Sequence, residues 1–583
     1  MTRNVSLLDP AGDAMPDLSR GRTMRSTLDD VLRVADQPEV RASIVHLLTH
    51  LLQVDTTVGP DLERVRLQEE QALDLIAQAA ELFLGTSSGV ERVAIDPAIE
   101  ADPYYTPVHY TKTPERPEGL GAADAYRERC NLVVRVQGQG RGTLAFNAHV
   151  DVVAPFIPPR VEGDIVFGRG ACDDKGQCVA MLLAIYLIEH ARWMCDRIPL
   201  ADLLFQFAID EEPGGNGSLS LALDRRFAFD TLVVLEATKL AVHPGNRGAV
   251  WYRLELDGAA APGIGLVGLA AAIVLGLERE GAAIKAESTH PLFPHRPVQT
   301  CHGILGPWGK HPSAVNDHVE VAIAGDGTPD AAQVTRVVDR AIADYCAAYG
   351  DKTKEADPET GRPEVDHHYD LSVAGSAAHL VLHGKAGHMG AILRCDNAIT
   401  KAAYAVRALE TEPGLQTRSF SLAPHDSAEP ARMLVMEGGQ GFLPTHSLAE
   451  VTQRLTSAAA AAADAHCRER GASCGAGLVK MTFDKLHNDA FARDPNRPAV
   501  RAFVEACRSV GIAIVEPLRG WDVSCDARIF AREYPASDII TFGAGALEHA
   551  HSEKEQVRVG DLVAVAKAVA RFALTFDPTA LAV

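Results

Sequence analysis

The stretch LLFQFAIDEEPGGNG, residues 203–217, carries an apolar run straight into three consecutive acids and then a turn. LLFQFAI reads as a strand buried on both faces, and Pro213-Gly214-Gly215 stops any helix from following at once. Adjacent glutamates usually decorate a solvated helix face, but no amphipathic helix runs here. Asp210, Glu211 and Glu212 therefore fall at the C-terminal end of a strand. In an open α/β sheet that edge is where ligands are held. A row of acids placed there calls for a positive partner.

Working outward, apolar strands alternate with helical segments from NLVVRVQG (131–138) onward, through GTLAFNAHVDVV, GQCVAMLLAIYLIEHA, DLLFQFAID and TLVVLEAT. That alternation predicts a mostly parallel α/β sheet. The texture returns at 497–583 with RPAVRAFVEACRSVG, DIITFGAG and a closing helix DLVAVAKAVARFAL. Upstream, residues 26–85 are periodic and helical, and 86–128, rich in Pro, Tyr and Gly, read as a long loop. No motif gives the first 130 residues a role.

Between the two α/β stretches the pattern changes and looks like a degenerate repeat. AVWYRLELDGAAAPGIG (249–265) and AAHLVLHGKAGHMG (377–390) each run from a strand into a glycine turn, and an Ala-rich helix follows each. Four residues beyond Gly258 stands Pro262, whereas four beyond Gly384 stands His388, so only the second copy offers a histidine. The expected domains are thus 1–245 and 485–583 as two parts of one catalytic domain. Residues 246–484 form an insertion of two subdomains, about 246–350 and 365–484.

Composition narrows the classes of function. A 583-residue chain with 47% hydrophobic and 23% charged residues is expected to fold into two or three globular domains. A formal net charge of −21 disfavours nucleic acid or an anionic membrane as the main partner and says little about a small-molecule substrate. The longest apolar run, 263–277, is short for a membrane span, and the N-terminal residues lack the apolar centre of a signal peptide. Eleven scattered cysteines without CxxC pairs fit reduced thiols, so the expected location is the cytoplasm.

The acids at 210–212 have companions at other element ends. LAFNAHVDVV sets His149 and Asp151 two residues apart where a strand finishes, on one side of an extended chain. FGRGACDDKGQ (167–177) supplies Asp173 before a helix, VVLEAT supplies Glu236, and LEHAHSEKEQV supplies His551. Like charges gathered this way repel unless a cation binds them, and a mixed N/O donor set suits zinc first, with cobalt or manganese as substitutes. HPLFPHRP (290–297) and DHHYD (366–370) show no partners at ligand spacing and read as loops.

In chain order the motifs are HxD, GRGxxDxKG, DEExGG, an acid after a strand, GxxGH, and HxxxE. This set, spanning roughly 130–583, resembles the M20 metallopeptidase family of carboxypeptidases, dipeptidases, acetylornithine deacetylases and succinyl-diaminopimelate desuccinylases. The resemblance implies a zinc-peptidase-like catalytic domain and an inserted α+β lid of two ferredoxin-like halves. It also implies two Zn2+ ions: one on His149 and Glu236, the other on Glu212 and His551, with Asp173 between them. Asp151 would support His149. Glu211 would be the general base for a water bridging the metals, and His388 would stabilise the oxyanion. Two lid halves in one chain are similar to the monomeric PepV-type dipeptidases, which implies a monomer with a pseudo-dimeric lid. Arg528 in SCDARIF and Arg454, ten residues after Pro444, would bind the substrate carboxylate. The chain departs from the family pattern at Gly441, where asparagine is usual, and at Val523-Ser524-Cys525, where Gly-Gly-Thr is usual. The expected reaction is hydrolysis of an amide bond in a dipeptide or N-acyl amino acid. The alternatives are an N-deacylase or carbamoylase of the same fold, or a catalytically inactive binding relative.

Overall fold

The computed structural model describes residues 26–581, apart from 86–87, 114, 295–303, 306–313, 326, 358–360, 389–391, 393–394, 422–432 and 484–486. The chain divides into two compact units, Met1–Arg247 with Phe491–Val583, and Gly248–Ala490.

The first unit is built on six strands: β1 (Gly89–Ala94), β2 (Cys130–Val136), β3 (Thr143–His149), β4 (Asp202–Ala208), β5 (Thr231–Leu235) and β6 (Asp538–Phe542). Their order across the sheet is β1-β2-β4-β3-β5-β6. The four strands β4, β3, β5 and β6 run parallel, whereas β2 is antiparallel to both of its neighbours. The parallel strands are buried almost throughout, which explains their continuous apolar runs in place of alternation. Strand β1 lies in the segment expected to be a loop. Its sequence, GVERVA, is short, has Glu91 and Arg92 at its centre and buries only Val93, so it lacks the apolar signal that marks the central strands.

Helices cover both faces. Lys175–Cys195 packs with Val559–Thr575, Leu62–Phe83 and Pro38–Gln53 on one side. Asn216–Leu223 and Ala527–Glu533 pack together on the other. Lys175–Cys195 is long and apolar enough to cross a membrane, but 72% of its most apolar window is buried inside the unit, as a central core helix requires. Phe146 and Phe205 stack at 5.0 Å between ring centroids on adjacent strands. Truncating either to alanine would cost roughly 3–5 kcal/mol.

The second unit holds two main antiparallel sheets. One joins Ile304–Leu305, Met433–Phe442, Gly248–Asp257 and Val479–Thr482, with His487–Asn488 also paired to Gly248–Asp257. It packs with the helices Leu266–Glu287 and Leu448–Glu469. The other has the order Tyr369–Ala374, Ala377–His383, His318–Gly325, Leu415–Ser421 and packs with Ala331–Tyr349 and Ala398–Leu409. The expected tandem halves, 246–350 and 365–484, are therefore corrected: the second sheet is nested inside the first. Gly248–Asp257 takes its long partner from Met433–Phe442, far along the chain, because that strand supplies a matching ten-residue register.

Candidate metal centre

Because β3, β4, β5 and β6 are parallel, their C-terminal ends share one edge of the sheet. His149 closes β3, Asp210-Glu211-Glu212 follow β4, Glu236 follows β5, and the loop after β6 leads to His551. Asp173 sits just before the helix Lys175–Cys195. Four parallel strands thus collect groups from residues 149 to 551 without any long-range motif.

Two donor groups form there and share one residue. His149, Asp173, Asp174 and Glu236 place donor atoms within 4.8 Å of one another, and so do Asp173, Glu212 and His551. Asp173 faces each group with a different oxygen. Its Oδ1 is 3.2 Å from His149 Nε2, and its Oδ2 is 3.3 Å from His551 Nε2. His551 Nε2 also lies 3.0 Å from Glu212 Oε1. All these carboxylates are buried.

His149 Nδ1 lies 3.0 Å from the Asp151 carbonyl oxygen, an acceptor only, so this nitrogen carries the proton. Nε2 then faces carboxylate oxygens and needs either a second proton or a cation. With protein groups alone, burial lowers the basicity of His149, but Asp151 and Asp173 outweigh it and hold the imidazole well above its ordinary range. Burial, followed by the neighbouring acids, pushes Glu236 well above the usual carboxylate range. A divalent cation relieves the same repulsion without added protons, so the donor set fits a pair of metal ions.

Asp151 has a second task. Its carboxylate is 3.5 Å from His149 Nδ1, and its two oxygens accept the backbone N–H groups of Glu211 and Glu212, each at 3.0 Å. One side chain therefore fixes both the imidazole and the acidic turn. Glu211 is half-buried, and burial together with the nearby Asp526 charge raises its carboxyl well above the usual range. Gly215, at φ 82, lets the turn approach Asp526: a Cβ there would lie 2.2 Å from Asp526 Oδ1.

Sequence reading missed the groups that hold this turn. Asp210 adopts φ 62, a left-handed conformation costly for a residue with a Cβ. Its carboxylate accepts from Tyr110 at 2.9 Å, Tyr126 at 2.5 Å and Arg129 at 3.0 Å. Arg129 in turn makes a bidentate pair with Glu69, at 2.8 and 2.7 Å. The segment without an assigned role thus clamps the residue preceding Glu211. A second buttress is Glu555, whose Oε1 accepts the N–H of Gly170 at 2.8 Å and of Asp173 at 3.3 Å. Arg169 donates to its other oxygen at 2.5 Å. Glu555 was visible only as the end of HxxxE. Asp174, which joins the first donor group, accepts the His149 backbone N–H at 3.0 Å.

The substrate-binding expectations fare differently. Arg528 is buried and donates to the carbonyls of Cys525 at 3.0 Å and Gly214 at 2.8 Å. Its two terminal nitrogens are therefore tied to the backbone, while its Nε–H has no acceptor among the described residues. Arg454 binds Glu280 at 2.5 Å and Glu287 at 2.5 and 2.9 Å, and so ties two helices of the second unit together. Its spacing after Pro444 reflected a helical position facing acids. The backbone of His388 pairs with Ala314, and its side chain lies outside the described residues, as do residues 295–297 of HPLFPHRP.

A mixed α/β sheet with a doubled His/carboxylate cluster along its C-terminal edge defines a hydrolase of the metallopeptidase type. The model of Peptidase family M20/M25/M40 matches residues 145–575, and the chain belongs to that family. Among solved structures, a di-peptidase of Saccharomyces cerevisiae has a TM-score of 0.52 at 14% identity, covering 94% of this chain and 98% of that one. Human carnosine dipeptidase 1 has a TM-score of 0.51 at 14% identity, covering 94% and 99%. A probable carboxypeptidase of Aspergillus terreus is 31% identical over 218 residues, 34% of this chain and 48% of that protein. A [LysW]-lysine/[LysW]-ornithine hydrolase of Sulfurisphaera tokodaii is 41% identical over 63 residues, 11% of this chain and 18% of that protein. The matches span less than half the length of these two relatives.

Proposed function

We propose that the chain is a dinuclear metal-dependent hydrolase that cleaves an amide bond in a small substrate bearing a carboxylate, a dipeptide or an N-acyl amino acid. The observation that carries this reading is Asp173, with one oxygen toward His149 and the other toward His551. His149 and Glu236 would hold one ion, Glu212 and His551 the other, with Asp173 between them. Zinc is the metal best suited to these donors, and cobalt or manganese are substitutes. Bound there, such ions supply Lewis acidity that polarises an amide carbonyl and acidifies water.

Glu211 is the chain's own proton carrier. Its backbone N–H is pinned by Asp151, which fixes the turn that carries it, and a carboxylate so placed can serve as a general base. It takes a proton from the attacking water and returns it to the departing nitrogen. Asp151 keeps His149 oriented through Nδ1. His388 is assigned to the oxyanion. Arg528 contributes by holding Gly214 of the acidic turn, and its Nε–H has no hydrogen-bond partner among the described residues. Similarity to a protein named as a probable carboxypeptidase favours a substrate with a free carboxylate. We place the protein in the cytoplasm as a monomer whose lid serves its own site.

Glu211→Gln tests this reading. It keeps volume and leaves every proposed ligand in place, so metal content should hold while turnover falls roughly 10²–10⁴-fold. The assay is mass spectrometry of the zinc-loaded enzyme against dipeptides and N-acetyl, N-succinyl and N-carbamoyl amino acids. Full activity in the variant would remove Glu211 from the mechanism. Cleavage only of acylated amino acids would move the protein to the deacylase branch.

A further inference from the structure

The segment DHHYD was expected to be a loop without ligand partners, but the second unit gives it one. Asp370, in the strand Tyr369–Ala374, is registered opposite Val381 of Ala377–His383. Side chains two apart on a strand share a face, so His383 emerges on the same side as Asp370. His367, just ahead of the strand, reaches the same point. His367 Nε2 lies 3.1 Å from Asp370 Oδ2, and His383 Nε2 lies 2.8 Å from that same oxygen. The two imidazoles meet edge to face with centroids 4.7 Å apart. All three donor atoms fall within 4.8 Å of one another.

We infer that His367, Asp370 and His383 form a binding site for a divalent transition-metal ion, separate from the centre at the β3–β6 edge. Two neutral imidazoles and one carboxylate are the donor chemistry of zinc and its neighbours, and solvent can complete the coordination because His367 and Asp370 are exposed. A tetrahedral zinc with bonds near 2.1 Å needs ligand atoms roughly 3.4 Å apart. The two N···O separations are slightly shorter than that, so binding requires only a small outward shift of flexible side chains. Two neighbours help to define the site. His318, the register partner of His383, is held by Glu320 at 3.2 Å. The nearby trio Cys346, Asp351 and His368 is a poor competitor. Lys401 Nζ donates to His368 Nδ1 at 3.3 Å, so Nε2 carries the proton and has no lone pair to give.

The inference does not rest on the proposed hydrolase activity, because its test reads a difference in metal count. Full-length protein is equilibrated at micromolar free zinc and examined by native mass spectrometry with elemental analysis. Wild type should hold one zinc more than His367→Ala/His383→Ala, and Asp370→Asn should also lose that ion. His379→Ala, on the same strand, and Cys346→Ser should both keep it, and all four variants should retain wild-type turnover. Equal zinc in wild type and the double variant would overturn the site. Loss of the extra zinc in Cys346→Ser but not in the histidine variants would overturn it too, in favour of the neighbouring trio.

Discussion

Arg129→Met puts the clamp on the acidic turn to the test. The substitution keeps much of the apolar stem and removes the guanidinium that joins Glu69 to Asp210. Both carboxylates are at most 3% exposed, so each loses its cation with no water to replace it. Breaking a buried pair in this way costs roughly 3–5 kcal/mol. For a unit of this size each kcal/mol moves the midpoint by about 2 °C, so calorimetry should show the transition lowered by about 6–10 °C.

The same variant should impair turnover, because Asp210 at φ 62 is held in a conformation worth about 1–3 kcal/mol of strain. Once part of the clamp is gone, the turn can relax and carry Glu211 with it, and each 1.4 kcal/mol of lost positioning is about tenfold in rate. Metal content should stay near that of wild type, since Asp151 still holds the N–H groups of Glu211 and Glu212. Glu69→Gln in the Arg129→Met background should recover part of the stability by removing one stranded charge. A loss below about 1 kcal/mol, the value of an exposed ion pair, would refute the reasoning. So would additive effects of the two substitutions.

Other consequences follow from the geometry. Asp173→Asn should abolish binding of both catalytic-site ions together, whereas Glu236→Gln and Glu212→Gln should each weaken one first; isothermal titration with zinc distinguishes the two patterns. His388→Ala should lower turnover without loss of metal, and mixing it with Glu211→Gln should restore nothing if the lid acts on its own chain; recovery would indicate partners that exchange histidines. Burial pulls His243 down from 6.5 to about 4, so it stays neutral in the folded state while the unfolded chain takes up a proton. Its share of stability is whole above pH 6.5 and is lost as pH falls toward 4. His243→Gln should flatten that slope in thermal melts, and an unchanged slope would exclude the group.

The candidate site was legible where a rule maps sequence onto space. A parallel sheet brings the ends of its strands to one edge, so His149, Glu212 and Glu236 could be grouped from their places after apolar runs alone. His551 and Asp173 were grouped with them from Gly-rich turns at other element ends, and only the pairing of residues with particular ions came from the motif order. The nesting in the second unit could not be read, because its repeat was visible as texture while strand partners are chosen by register across most of that unit, as between Gly248–Asp257 and Met433–Phe442.

The supporting groups were illegible for a different reason. Glu69 and Arg129 are 60 residues apart, Arg129 and Asp210 are 81 apart, and Arg169 and Glu555 are 386 apart. Each alone looks like an ordinary surface charge in a helix, a strand end or a loop, and only burial reveals the obligation to pair. Arg454 shows the other side of the same rule: its spacing suggests a substrate contact, while two acids on a neighbouring helix engage it in this structure. An arginine is therefore available to a ligand only after its protein acceptors are counted. By that count Cys525, Asp526 and Gly214 take three of the five N–H groups of Arg528, so recognition of the proposed substrate carboxylate would draw chiefly on other groups.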